Sequence, residues 1–134
     1  MRSKSRDTKE SISFRKQILA GTNDVLHERI KGQGTIEGMR VRFYPGQQLD
    51  LQVRVFVEHK GGLMEELVTY PSTTRQYLAG DDDNVIIDCV ISVENDDFLK
   101  VSVVNVDLVN NYDLAVDVYV DYYGGSSRVV GGVL

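Results

Sequence analysis

The residues with the clearest capacity for chemistry are three consecutive carboxylates in one predicted turn. Asp81, Asp82 and Asp83 follow Gly80 and precede Asn84, so they offer oxygen ligands of the kind that Ca²⁺ prefers. Their spacing differs from that of an EF-hand loop, which alternates its ligands and ends on a glutamate. Asp, Asn and Gly are also turn formers, which favours a solvated turn. We therefore expect no metal and no cofactor, with calcium at these three aspartates as the alternative.

The other residues capable of catalysis form no recognisable motif. His27 and His59 are the only histidines, whereas zinc needs three or four convergent ligands. The sequence contains neither the G-x-S-x-G elbow of serine hydrolases nor the H-E-x-x-H motif of zinc proteases. We expect that the protein is not an enzyme and has no catalytic residues.

Tyrosine side chains are better candidates for a binding surface. Tyr119 and Tyr123 fall on the face opposite the valines of the last strand pattern, and Tyr44 is placed similarly earlier in the chain. Exposed aromatic rings on a sheet can stack on sugars or anchor a partner protein. Tyr also favours strands, so ordinary sheet decoration is the alternative. Phe56, predicted to face outward as well, favours a contact surface.

The elements that must position these residues are β-strands. Apolar and polar residues alternate in Leu49–Val57, Val85–Val93 and Leu114–Tyr123, which is typical of strands with one buried face. About eight strands at spacings of ~8–14 residues predict an all-β fold, an antiparallel, jelly-roll-like β-sandwich. The predicted core consists of the inward apolar residues Val41, Phe43, Leu51, Val53, Val55, Ile87, Cys89, Ile91, Val116, Val118 and Val120.

Local signals add detail to this pattern. The alternation shifts by one residue at Gly38, where a β-bulge would restore it. The short turn at Pro45–Gly46 predicts that the strands on either side form a hairpin. Residues 25–31 are predicted to be a short strand or a helical turn. A second slip near Val103 predicts another bulge or a fully buried strand centre.

Composition divides the chain into a body and two flanking segments. The 134 residues suffice for one domain with its own core, predicted over residues 11–123. Residues 1–10 are polar, with four basic and two acidic side chains for a net charge of +2, and predict a flexible arm. Residues 124–134 are glycine-rich with apolar pairs, so we predict a flexible tail. That tail either pairs with a neighbour's sheet edge or stays disordered.

Charge and hydropathy exclude several classes of function. The net charge is −5, and residues 81–97 carry no basic side chain, which argues against nucleic acid as the main ligand. The basic arm could touch nucleic acid or an acidic neighbour, or be only a solvated terminus. No run of 18 apolar residues is present, so we expect no membrane span and no membrane partner. The N-terminus lacks the apolar stretch of a secretory signal. The single Cys89 cannot form an internal disulfide, which fits a reducing cytoplasm.

Three stretches carry a resemblance to a known group of proteins through their pattern of turns and strands: Leu19–Thr22, Gly34–Gly46 and Tyr77–Asp82. In this pattern the sequence resembles small β-sandwich proteins of bacteriophages and prophages, of the kind found as virion structural or decoration subunits. The resemblance spans about residues 12–123. It includes no functional motif, so no residue roles carry over. It implies a non-enzymatic subunit that assembles symmetrically or attaches to a capsid or tail.

These observations together predict a phage virion structural or assembly subunit, located in the virion after assembly in the host cytoplasm. We expect it to form a dimer or trimer with itself, and to contact a capsid or tail protein. The interface is predicted to include Tyr119, Tyr123, Val129, Val130, Val133 and Leu134. The alternative is a carbohydrate- or receptor-binding β-sandwich module that uses exposed tyrosines and turn carboxylates.

Overall fold

Eight antiparallel strands form the body of the protein in a computed structural model that describes residues 9–70 and 75–123. The alternating sequence therefore produces the predicted all-β sandwich. The strands are β1 (Lys9–Ile18), β2 (Asn23–Arg29), β3 (Gly34–Phe43), β4 (Leu51–Glu58), β5 (Met64–Glu66), β6 (Asp83–Val93), β7 (Phe98–Asn105) and β8 (Tyr112–Tyr122).

The strands divide equally between two sheets. The sheet called here the front sheet has the order β1-β8-β3-β6, and the back sheet has the order β2-β7-β4-β5. Among strands that follow each other in sequence, only β4 and β5 are hydrogen-bonded neighbours, so every other connection crosses between the sheets. This order is that of a jelly roll, in which two four-stranded sheets enclose one core.

The predicted hairpin around Pro45–Gly46 is wrong. β3 pairs with β6 and β8 in the front sheet, whereas β4 pairs with β5 and β7 in the back sheet. The connection is an arch in which Gln48 and Leu49 have positive φ angles of 52° and 65°. The side chain of Gln47 is buried in the arch and donates to the Asp113 carbonyl at 2.9 Å. Two strands with one apolar face can pack face to face as well as edge to edge, so alternation alone does not distinguish the cases.

The predicted core is confirmed except on one strand. Nine of its members are at most 4% exposed: Val41, Phe43, Leu51, Val53, Val55, Ile91, Val116, Val118 and Val120. Ile87 and Cys89 are instead only half-buried. Both lie on β6, an edge strand of the front sheet, where no neighbouring strand among the described residues covers the open side.

The predicted bulge at Gly38 is confirmed, because the register of β3 against both neighbours shifts between Ile36 and Gly38. A Cβ atom at Gly38 would lie 2.6 Å from the carbonyl oxygen of Ile87, which leaves room only for glycine. The irregularity predicted near Val103 is wrong, since buried and half-buried side chains alternate regularly along β7. The ambiguous segment at 25–31 is largely strand, as part of β2.

The flanking segments are only partly described. β1 begins at Lys9, so the last two residues of the predicted arm belong to the front sheet. The rest of that arm, residues 1–8, and the predicted tail, residues 124–134, lie outside the described residues. In the described part of the chain, no helix has the length and apolar character needed to cross a membrane.

Candidate interaction surfaces

The outward side chains of the front sheet form rows across its four strands. One row contains Ser13 on β1, Asp117 on β8, Arg40 on β3 and Ile86 on β6, each opposite the next. Because β8 lies between two other strands, its outward side chains are flanked on both sides. Asp117 is therefore only 5% exposed although it points away from the core.

Asp117 is held by a network of hydrogen bonds on this outer face. Its carboxylate accepts from the Ser13 hydroxyl at 2.6 Å, from Arg15 at 2.9 and 3.1 Å, and from Arg40 at 2.8 Å. Burial alone would raise the pKa of Asp117, but these hydrogen bonds outweigh burial and lower it. Two guanidinium groups on one carboxylate leave a net positive charge. Both arginine side chains are about half exposed, so this charge is accessible to a partner.

The two predicted interface tyrosines lie on the same outer face. Tyr119 is 39% exposed and lies opposite Gly38, where no neighbouring side chain covers it from β3. Tyr123, directly after β8, is 47% exposed and hydrogen-bonds the Thr35 side chain. The other predicted members of the interface, Val129, Val130, Val133 and Leu134, fall in the undescribed residues 124–134.

Phe56 does not belong to an exposed aromatic surface, contrary to the prediction. It is only 7% exposed, although it alternates with the inward residues of β4. The guanidinium of Arg54 lies 5.7 Å from its ring centroid, and Arg54 pairs with Glu66 on β5. The short strand β5 and this ion pair therefore cover part of the back sheet, which a pattern within β4 alone could not show.

The edge strand β6 exposes large apolar side chains. Ile86 is 69% and Val90 83% exposed, with Asp88 between them on the outward face. A shallow groove of about 580 Å³ lies beside Val90 and extends to Tyr123, with carboxylates along its rim. The alternation in Val85–Val93 predicts Asp88 on the outward face, which the structure confirms, but does not indicate that Ile86 and Val90 share that face.

A second apolar surface lies at one end of the sandwich, called here the loop end. It includes five exposed aliphatic side chains: Leu19, Leu49, Val106, Leu108 and Val109. Backbone hydrogen bonds join their loops, from Gly21 to Asp107 at 2.8 Å and from Val106 to Asp50 at 3.0 Å. The sequence from Phe98 to Val109 is rich in strand-forming residues up to the turn at Asn110-Asn111, so it did not mark Leu108 and Val109 as loop residues.

Asp107 gives the loop after β7 a fixed shape. Its carboxylate accepts hydrogen bonds from the Tyr112 hydroxyl at 2.6 Å, from the Asn110 side chain at 2.9 Å, and from the backbone of Val109 and Asn110. These bonds lower the pKa of Asp107 and raise the pKa of Tyr112 to about 12. Leu108 and Val109 are thus held in water, 83% and 82% exposed. An ordered loop that exposes large apolar side chains is typical of a contact surface.

The carboxylates of the acidic turn accept hydrogen bonds from other groups of the protein. Asp81 accepts a hydrogen bond from the backbone of Gly46 at 2.7 Å, and Asp83 accepts one from the backbone of Asp81 at 2.9 Å. Asp82 forms an ion pair with Arg42 at 2.9 Å. Within residues 9–70 and 75–123, no group of three or more His, Cys, Asp or Glu side chains is arranged to hold a metal ion. The turn carboxylates shape the loop end.

A histidine–carboxylate cluster ties the two sheets together at the opposite end. His59 contacts Asp97 through Nδ1 at 3.0 Å and Glu65 through Nε2 at 2.9 Å. Asp97 is 2% exposed and also accepts from the backbone of Glu94 and Lys60. Burial acts to lower the pKa of His59, but its two carboxylate partners raise it overall. Burial likewise acts to raise the pKa of Asp97, and its hydrogen bonds lower it overall. Both ring nitrogens are engaged, which suits a structural role.

Comparison with known proteins supports the fold. No family model matches the chain, and no curated protein matches it. The VP2 subviral particle of infectious bursal disease virus is similar in structure, with 12% identity and a TM-score of 0.50 over 87% of this chain and 33% of that one. The Gx strain of the same virus gives 12% identity and a TM-score of 0.48 over 87% and 32%.

A serine protease of Aeromonas sobria gives 11% identity and a TM-score of 0.39 over 83% of this chain and 27% of that one. At such identities the similarities concern the fold alone. The chain spans about one third of the length of the viral proteins that it matches.

Proposed function

We propose that this chain is a non-enzymatic structural subunit of a virion that associates with copies of itself. The observation that carries the proposal is the loop end, where the hydrogen bonds of Asp107 hold the loop in a shape that leaves Leu108 83% and Val109 82% exposed. Contiguous exposed apolar side chains mark contact surfaces. Because the loop is already ordered, association there requires little additional loss of conformational entropy.

The jelly-roll strand order supports the virion part of the proposal. The fold is also similar to that of the VP2 subviral particle of infectious bursal disease virus, at a TM-score of 0.50. The more specific form is a bacteriophage or prophage subunit that forms part of a capsid or tail or decorates one, and that assembles in the host cytoplasm. This form rests on the sequence resemblance over residues 12–123. We expect a dimer or trimer with closed symmetry.

Light scattering of the purified protein at micromolar concentration tests self-association. The wild type is expected to have the mass of a dimer or trimer, and the double variant Leu108→Asp, Val109→Asp the mass of a monomer, because two buried charges oppose the contact. Leu63→Asp is the matched control, since Leu63 is 72% exposed in a loop near the opposite end. A monomeric wild type, or an unchanged mass in the double variant, would overturn the proposal.

A second candidate function is a carbohydrate- or receptor-binding module. The observation in its favour is the outer face of the front sheet, where Tyr119 lies near the guanidinium of Arg40 and the carboxylate of Asp117. Aromatic rings beside planar charged groups are suited to binding sugars. Glycan-array binding that is lost in Tyr119→Ala, together with a monomeric mass, would favour this function over assembly.

A further inference from the structure

The open edge of β6 is an incomplete pairing surface. Among the described residues, β6 pairs with β3 on one side and with no strand on the other. Its inward residues Val85, Ile87 and Cys89 pack against the core but are only partly buried, and its outward residues Ile86 and Val90 are mostly exposed. Edge strands with apolar side chains on both faces are templates for pairing with another segment.

We propose that residues 128–134 of a neighbouring copy add to β6 as an antiparallel fifth strand of the front sheet. This inference rests on the proposed self-association and names a second contact, in addition to the loop end, that would contribute to it. The segment has the sequence Arg-Val-Val-Gly-Gly-Val-Leu and carries a single charged residue. Its β-branched residues favour a strand, and its composition matches an apolar edge.

The outward side of the pairing is fixed by a shared spacing. Ile86 and Val90 are four residues apart on β6, and Val129 and Val133 are four residues apart in the segment. If Val129 lies opposite Val90, then Val133 lies opposite Ile86, and a glycine faces Asp88 between them. Both exposed side chains of β6 thereby gain apolar cross-strand partners.

The same register also gives two inward residues of β6 apolar cross-strand partners. Val130 then lies opposite Cys89, and Leu134 lies opposite Val85, so these partly buried inward residues are covered by apolar side chains. The second glycine faces Ile87. A shift by one residue would exchange the two faces of the segment, and would place Gly131 opposite Cys89 in one direction or Gly132 opposite Ile86 in the other, so one apolar side chain of β6 would lose its cross-strand partner.

Charge favours this segment over a second copy of β6. Arg128 would share the inward side with Val130. Glu65, on the facing back sheet, lies near enough to Cys89 to add to the effect of burial, which raises the pKa of the thiol. The positive charge of Arg128 would therefore lie on the side of the negative charge of Glu65. Antiparallel pairing of two β6 strands around Asp88 would instead place two carboxylates opposite each other, which is destabilising.

The reach of the chain favours a neighbouring copy over the same chain. β8 ends beside β3, since Tyr122 lies opposite Gly34, which lies opposite Val93. The added strand would lie three strand spacings away, and Arg128 would lie roughly 17 Å from Tyr123 in a straight line at ~4.8 Å per strand and ~3.3 Å per residue. Five fully extended residues span at most about 18 Å. No length remains for the reversal of direction that antiparallel pairing requires.

Disulfide cross-linking tests the pairing, because Cys89 is the only cysteine. In Val130→Cys, mild oxidation should link residue 130 of one copy to Cys89 of the next and give dimers or larger species on a non-reducing gel. Val129→Cys is the matched control, since residue 129 faces the other side and should link much more slowly. Cys89→Ser combined with Val130→Cys should remove the link.

The outcomes separate this inference from the proposed function. An oligomeric mass by light scattering without a Val130→Cys cross-link would overturn the pairing and leave self-association standing. A monomer that loses both thiols would show that the segment pairs within its own chain, which also overturns the inference. Wild-type linkage through Cys89 alone would indicate pairing between two β6 strands and contradict it. A monomeric wild type would overturn the proposed function itself.

Discussion

A carboxylate that points away from the core is normally solvated, but Asp117 is covered by its neighbours on three strands. Ser13, Arg15 and Arg40 donate hydrogen bonds to it. Without these bonds, the free-energy cost of burying the carboxylate charge would not be compensated. The fold thus depends on a polar contact on the outside of its front sheet. The sequence pattern placed Asp117 on the outer face but not its partners, because cross-strand register is not visible within one strand.

Asp117→Asn tests the importance of this network. The amide removes the negative charge between two guanidinium groups and presents a donor to them, so we expect a loss of about 1–3 kcal/mol in the free energy of unfolding. Urea denaturation measures it. Asp88→Asn, an exposed acid on the same face, is the control and should change stability by less than about 0.5 kcal/mol. Equal effects of the two substitutions would contradict the role given to Asp117.

The contact of His59 with Asp97 predicts a pH dependence of stability. The pKa of His59 is raised above 6.5, so its contribution is complete below pH 6.5 and is lost as pH rises through the folded-state pKa. The pKa of Asp97 is lowered below 3.8, so its contribution is present above pH 3.8 and is lost as pH falls through its folded-state pKa. The pair therefore stabilises most between these values.

Urea midpoints measured from pH 5 to pH 8 should fall more steeply in the wild type than in His59→Gln, which cannot titrate in this range. Parallel profiles of the two proteins would show that the imidazole charge does not contribute to stability.

At the scale of elements, β3 depends on one glycine. Gly38→Ala would place a Cβ atom 2.6 Å from the backbone oxygen of Ile87, so the bulge must distort, at a cost of about 1–3 kcal/mol. Gly32→Ala is the matched control, because its Cβ would lie 3.6 Å from the Tyr122 ring, an ordinary contact. Its effect should stay within about 1 kcal/mol. Thermal melts compare the two, and a Gly38→Ala variant as stable as Gly32→Ala would contradict the steric argument.

Strands and their faces were predictable because side-chain alternation is local. The bulge at Gly38 could be located from a single break in that alternation. The arch at Pro45–Gly46 could not be told from a hairpin, since the partners of β3 and β4 are distant in sequence. For the same reason, the partial burial of Ile87 and Cys89 needed the strand order, which places β6 at an edge.

At the scale of the whole molecule, the surfaces were less predictable than the fold. The exposure of Tyr119 and Tyr123 followed from parity along one strand. The loop end did not, because Leu19, Leu49 and Leu108 come from three separate loops that only the jelly-roll order brings together. Apolar residues in loops carry no periodicity, so no local pattern marked them as exposed.

The pairing of β1 with β8 has a consequence for how the protein reaches its native state. Ser13 and Asp117 are 104 residues apart in sequence yet form a direct hydrogen bond, and the front sheet joins first and last strands along their whole length. Contacts of such sequence separation slow folding, since the chain must close long loops before it gains their stabilisation. On a ribosome, β1 has no pairing partner until β8 has emerged. The front sheet is therefore completed only after β8 has been synthesised, while the β3–β6 pair and the local β4–β5 hairpin can form earlier.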